Sequence, residues 1–73
     1  MKHRPTLTAR QTEVLRLKSV GLSDKDVAAL LFVSTRTVAF HLHRVYTRLG
    51  VRSCIQALIE ARRLGLIESR FAA

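Results

Sequence analysis

The chain is poor in the residues that brace small proteins or arm their active sites. It has one cysteine, one proline, three glycines and no tryptophan in 73 residues. A single thiol excludes an internal disulfide framework. With no base beside it in sequence, Cys54 reads as a small helical hydrophobe in a reducing compartment, not as a nucleophile. The aromatics are Phe32, Phe40, Tyr46 and Phe71, too few for the stacking platforms of single-strand binders. No apolar run approaches the ~20 residues that span a bilayer, and no apolar segment follows the basic lead-in Met1-Lys2-His3-Arg4-Pro5 as a signal peptide would require. Glycine-rich phosphate loops, a nucleophile elbow and a metal-ligand cluster are all missing, which argues against an enzyme.

Acid is the most telling shortage. Five Asp and Glu face thirteen Lys and Arg, a formal charge of +8. From Val27 to Ile59 there is no acidic residue, while Arg36, Arg44, Arg48, Arg52, His41 and His43 all lie in that stretch. Solvated faces normally intersperse both signs. An uncompensated cationic stretch points to a polyanion, with nucleic acid ahead of an anionic membrane surface.

The length allows one thinly cored domain, burying roughly 60% of its unfolded surface. Helix starts recur along it. Thr8-Ala9-Arg10-Gln11 and Ser53-Cys54-Ile55-Gln56 fit the capping box, and Ser23-Asp24-Lys25-Asp26 is a variant with Asp as the returning side chain. Ser34-Thr35-Arg36-Thr37 keeps the cap but has no acid, leaving a positive amide end open to an anion. Gly21, Gly50 and Gly65 supply stops where a left-handed residue is wanted. The expected elements are helices over 9–20, 24–31, 35–49 and 54–64, with no sheet: an all-α domain over residues 7–67, with 1–6 and 68–73 as flexible termini.

At 100° per residue, Val38, Leu42, Val45 and Leu49 form one stripe of the third helix, its core face, with Tyr46 beside it. Arg36, Phe40, His43, Arg44 and Thr47 fall on the opposite face. Only Phe32-Val33-Ser34 separates the second and third helices, as in a helix-turn-helix whose second helix enters the major groove of duplex DNA. His41 and His43 point about 200° apart and cannot share an ion, so no metal or other cofactor is expected. The fourth helix has Ala57, Ala61 and Leu64 at core spacing, leaving Cys54, Leu58 and Arg62 as a candidate second stripe for a homodimer. A pure protein-interaction module and non-specific DNA packaging are the competing readings.

The residues Leu7-Thr8-Ala9-Arg10-Gln11-Thr12-Glu13-Val14-Leu15, Gly21-Leu22-Ser23-Asp24-Lys25-Asp26-Val27-Ala28, Ser34-Thr35-Arg36-Thr37-Val38-Ala39-Phe40-His41 and Arg48-Leu49-Gly50-Val51-Arg52 resemble, in order, the LuxR/GerE helix-turn-helix family across residues 7–64. The resemblance implies a four-helix fold, a dimer and sequence-specific control of transcription in the bacterial cytoplasm, at the nucleoid. It places Lys25, Ser34, Thr35, Thr37 and Arg48 at phosphate-holding positions and Ala39, Phe40 and His43 toward base edges. From the cationic outer face, Arg44 is assigned to phosphates and Arg36 to bases. RNA polymerase is a further candidate partner. Members often carry Lys or Arg where this chain has Ala39, and a polar residue where it has Phe40, so apolar contacts to thymine methyls are expected there. The short chain is similar to stand-alone members of the family, and a fragment of a longer regulator is equally compatible.

Overall fold

A computed structural model describes residues 5–68. Four helices follow one another: α1 (Ala9–Ser19), α2 (Asp24–Leu31), α3 (Thr35–Leu49) and α4 (Cys54–Arg63). No strand occurs among the described residues. α1 and α4 each stop one residue short of the expected end, because Val20 and Leu64 serve as caps. The expected flexible termini lie largely outside the described residues. Within them, the Thr6 carbonyl accepts from Arg48 Nε at 3.0 Å and Glu68 pairs with Arg16 at 3.0 Å.

Each helix starts on a hydroxyl. At α1 the box closes both ways: Thr8 Oγ1 accepts the Gln11 amide and Gln11 Oε1 accepts the Thr8 amide, both at 3.0 Å. Two of the expected boxes close only halfway. Ser23 accepts the Asp26 amide at 3.1 Å, but the Asp26 carboxylate, one methylene shorter than Glu, makes no return bond. Ser53 accepts the Gln56 amide at 3.2 Å, while Gln56 Oε1 takes the amide of Arg52 at 2.9 Å. The φ of Ser53 is −147°, against −68° at Thr8, so the chain comes in along a different path and a different amide is in reach.

The last three helices end alike. An amide just past each helix reaches back five residues, Val33 to Ala28 at 3.0 Å, Val51 to Tyr46 at 2.9 Å and Leu66 to Ala61 at 2.8 Å. That closure needs a left-handed residue in the gap. Gly50 (φ 70°) and Gly65 (φ 74°) supply it for α3 and α4; for α2 it is Phe32 (φ 57°).

The core forms around α3, which packs against α1, α2 and α4. Val38, Leu42, Val45 and Leu49 are all buried, as the helical spacing predicts. They meet Val14 and Leu15 of α1, Val27 and Ala28 of α2, Ala57 and Ala61 of α4, and Ile67 beyond α4. Leu64 packs at the edge of this cluster. Lys18 of α1 pairs with Asp24 of α2 at 2.9 Å, and Tyr46 lies half-buried near Cys54, bracing the seams between helices. No helix among the described residues is long and apolar enough to cross a membrane.

Candidate nucleic-acid interface

Because one stripe of α3 faces the core, the opposite one is held outward along all four turns. Arg36, Ala39, Phe40, His43, Arg44, Thr47 and Arg48 are all exposed. The start of this face is built by Ser34, whose Oγ accepts the Thr37 amide at 3.1 Å and lies 3.1 Å from the Thr37 hydroxyl. Ser34 and Thr35 are exposed and Thr37 is half-buried. With no acid in the first turn, the remaining amides keep their positive end unneutralised. Lys25 is exposed in the first turn of α2, the other arm of the helix-turn-helix.

The ion pairs explain why the field is one-sided. Glu13 pairs with Arg10, Asp24 with Lys18, Glu60 with Arg63 and Glu68 with Arg16. These pairs engage α1, the start of α2, α4 and the segment after it. Among the described residues, Asp26 alone of the acids has no ion-pair partner. The cations left without one are Lys25, Arg36, Arg44, Arg48, Arg52 and Arg62. Four of these six lie in α2 or α3, and Arg52 follows directly in the turn before α4. Arg63 also hydrogen-bonds Glu60 twice and so holds that carboxyl below its usual range.

Two hollows open beside Arg44 and Arg48. One of about 440 Å³ is lined by these two arginines with His43 and Thr47. The other, about 210 Å³, lies between them and the start of α1, against Thr6, Leu7, Thr8 and Gln11. Arg44 sits over the ring of Phe40 at 5.9 Å, and that ring meets half-buried His41 edge-on at 5.9 Å.

The other predicted surface is less uniform. Cys54, Leu58 and Arg62 of α4 are half-buried, and Leu58 packs against the core. The fully outward residues are Ile55 and Ile59, 68% and 60% exposed. A helical wheel accounts for the gradient. With Ala57 and Ala61 inward, Cys54 to Arg62 fall about 40–120° from the core direction, and Ile55 and Ile59 about 140–180°. Centring the wheel on Ala57 and Ala61 alone would have singled out the two isoleucines. A groove of about 380 Å³ flanks Ile59, between Gly50, Val51, Arg52, Gln56 and Glu60. Arg62 Nε is buried without a partner among the described residues.

In sequence and in fold the chain is similar to known proteins. Residues 5–61 match the family described as "Bacterial regulatory proteins, luxR family". The spore germination protein GerE of Bacillus subtilis is 37% identical over 65 residues, 89% of this chain and 88% of its own length. A Mycobacterium bovis protein whose name assigns it to the HTH-type transcriptional regulators is 52% identical over 60 residues, 82% of this chain. The chain spans only 7% of the length of that relative. Among solved structures, transcription factor GerE superposes with a TM-score of 0.83 at 35% identity, over 89% of this chain and 97% of its own. The response regulator ChrA of a heme-sensing two-component system gives 0.83 at 42% identity, over 90% of this chain and 33% of its own. With the match covering most of its length and the four-helix fold in common, this chain belongs to the luxR family of bacterial regulatory proteins.

Proposed function

We propose that this domain binds duplex DNA sequence-specifically, as a homodimer on an inverted repeat, and so regulates transcription at the nucleoid in the cytoplasm. α3 lies in the major groove. Lys25, Ser34, Thr35, Thr37, Arg44 and Arg48 hold phosphates, and Arg36, Ala39, Phe40 and His43 face base edges. The observation that carries this reading is the partition of charge. Acids neutralise cations on α1 and α4, while the exposed face of α3 keeps Arg36, Arg44 and Arg48 without any carboxylate partner among the described residues. Fixed cations over an acid-free helix start are what a phosphate backbone requires. Ala39 gives the groove a small apolar surface suited to a thymine methyl.

Dimerisation uses α4, with Ile55 and Ile59 at the centre of the joint and Cys54, Leu58 and Arg62 along its flank. A two-fold axis there buries the same stripe from each protomer and sets two α3 helices about one DNA turn apart, roughly 34 Å. RNA polymerase is the partner through which such a bound dimer would act on a promoter.

Selection of bound sequences from a random duplex pool tests the proposal. Enrichment of an inverted repeat with half-sites about 10 base pairs apart supports it. A bound pool with no enriched sequence would leave only non-specific packaging.

A further inference from the structure

We infer that Phe40 is a positioning residue for Arg44: its ring holds the guanidinium at the edge of the reading face, ready for a DNA phosphate. The inference rests on the DNA-binding reading and deepens it. Phe40 and Arg44 are four residues apart, one above the other on the outer face of α3. The guanidinium carbon lies 5.9 Å from the ring centroid, within cation–π range. Phe40 is 58% exposed, so the core does not explain its orientation. Its other ring contact is the edge-on one to His41, which is itself half-buried. Arg44 has no carboxylate to orient it among the described residues, and it lines both cationic hollows beside α3.

The chemistry favours an aromatic shelf over an acid. A carboxylate would fix Arg44 equally well, but it would consume N–H donors and cancel the charge meant for phosphate. A ring face attracts the cation while its in-plane N–H groups stay free. It also restricts a long side chain whose rotamer freedom would otherwise be lost on binding. An aromatic residue at position 40 on a polar face then has a use beyond touching a base.

A double-mutant cycle tests the pairing, with binding measured on the duplex recovered by selection. Phe40→Leu keeps an apolar side chain and loses the π face, so affinity should fall by about two- to five-fold, the range of an exposed cation–π contact. Phe40→Trp should bind at least as well as the unsubstituted chain. In an Arg44→Ala background, Phe40→Leu should cost clearly less than in the unsubstituted chain, and what remains is the base contact of Phe40 itself. Thermal midpoints should fall by no more than a few degrees, about what the lost contact is worth, since both side chains are exposed. Wild-type affinity in Phe40→Leu, or an equal loss with and without Arg44, overturns the inference. In the free protein, Phe40→Leu should also abolish the ring-current shift of the Arg44 δ protons, and its persistence would overturn the pairing. That readout needs no DNA, so failure of the unsubstituted chain to bind any duplex would remove the DNA reading by itself.

Discussion

Phe32 is the residue whose replacement should stabilise the fold. It holds φ 57° and ψ 41°, the left-handed conformation that closes α2, and its side chain is 94% exposed. A non-glycine residue costs about 1–2 kcal/mol there, from the clash of Cβ with the carbonyl. Glycine removes that clash, but its greater freedom in the unfolded chain offsets about 0.5–1 kcal/mol. The ring has almost no burial to lose. Phe32→Gly should therefore gain about 0.5–1 kcal/mol, or about 3–6 °C in the midpoint for a domain of this size. Thermal unfolding followed by far-UV circular dichroism reads it directly. Phe32→Ala is the control: it removes the ring, keeps the Cβ, and should leave the midpoint unchanged. A lower midpoint in Phe32→Gly, or an equal gain in Phe32→Ala, would refute the assignment of strain to φ.

Other outcomes follow from the caps, the exposed α4 stripe and the seam between α3 and α4. Ser34→Ala frees the Thr37 amide and should destabilise the domain by about 1 kcal/mol in urea unfolding, while weakening DNA binding as well. Ile59→Asp should abolish self-association in sedimentation while leaving a helical, folded monomer by circular dichroism, because Ile59 faces outward; an undiminished dimer would take Ile59 out of the joint. Burial, then the neighbouring Cys54 and Asp24, pushes the Tyr46 hydroxyl up to about 12. The folded state thus disfavours the phenolate relative to the unfolded chain, whose tyrosine titrates near 10. Tyr46 contributes its full share below pH ~10 and loses it as pH rises toward ~12, a loss on the order of 1 kcal/mol after screening at its exposed edge. Tyr46→Phe should lack that part of the alkaline decline, compared by denaturant unfolding across the same pH range.

The sequence makes the helices legible because each begins on a hydroxyl residue and because Val38, Leu42, Val45 and Leu49 repeat at helical spacing. The end of α2 falls at Leu31 as expected, but the residue that closes it is hidden: the left-handed position carries Phe32, and nothing in a phenylalanine marks such a turn. Side-chain reach is likewise hard to read from residue type. Asp26 and Gln56 both fit the capping pattern, yet one is too short and the other finds a nearer amide. On α4 the apolar residues surround most of the helix, so the pattern alone gives no sharp outer edge. Only the packing of Ala57 and Ala61 turns Ile55 and Ile59 fully outward. The pairing of Phe40 with Arg44 depends on rotamers, which no spacing rule supplies.

A salt titration of binding to the selected duplex measures the central claim, that the acid-free face of α3 neutralises phosphates. Lys25, Arg44 and Arg48 give three cations per protomer and six in a dimer. At about 0.9 per phosphate, the logarithm of the association constant should fall with the logarithm of salt at a slope near −5, close to a thousandfold between ~50 and ~200 mM. Removing Arg48 as Arg48→Ala should flatten that slope by roughly two in the dimer. Affinity indifferent to salt, or no binding to duplex even at low salt, would contradict the account.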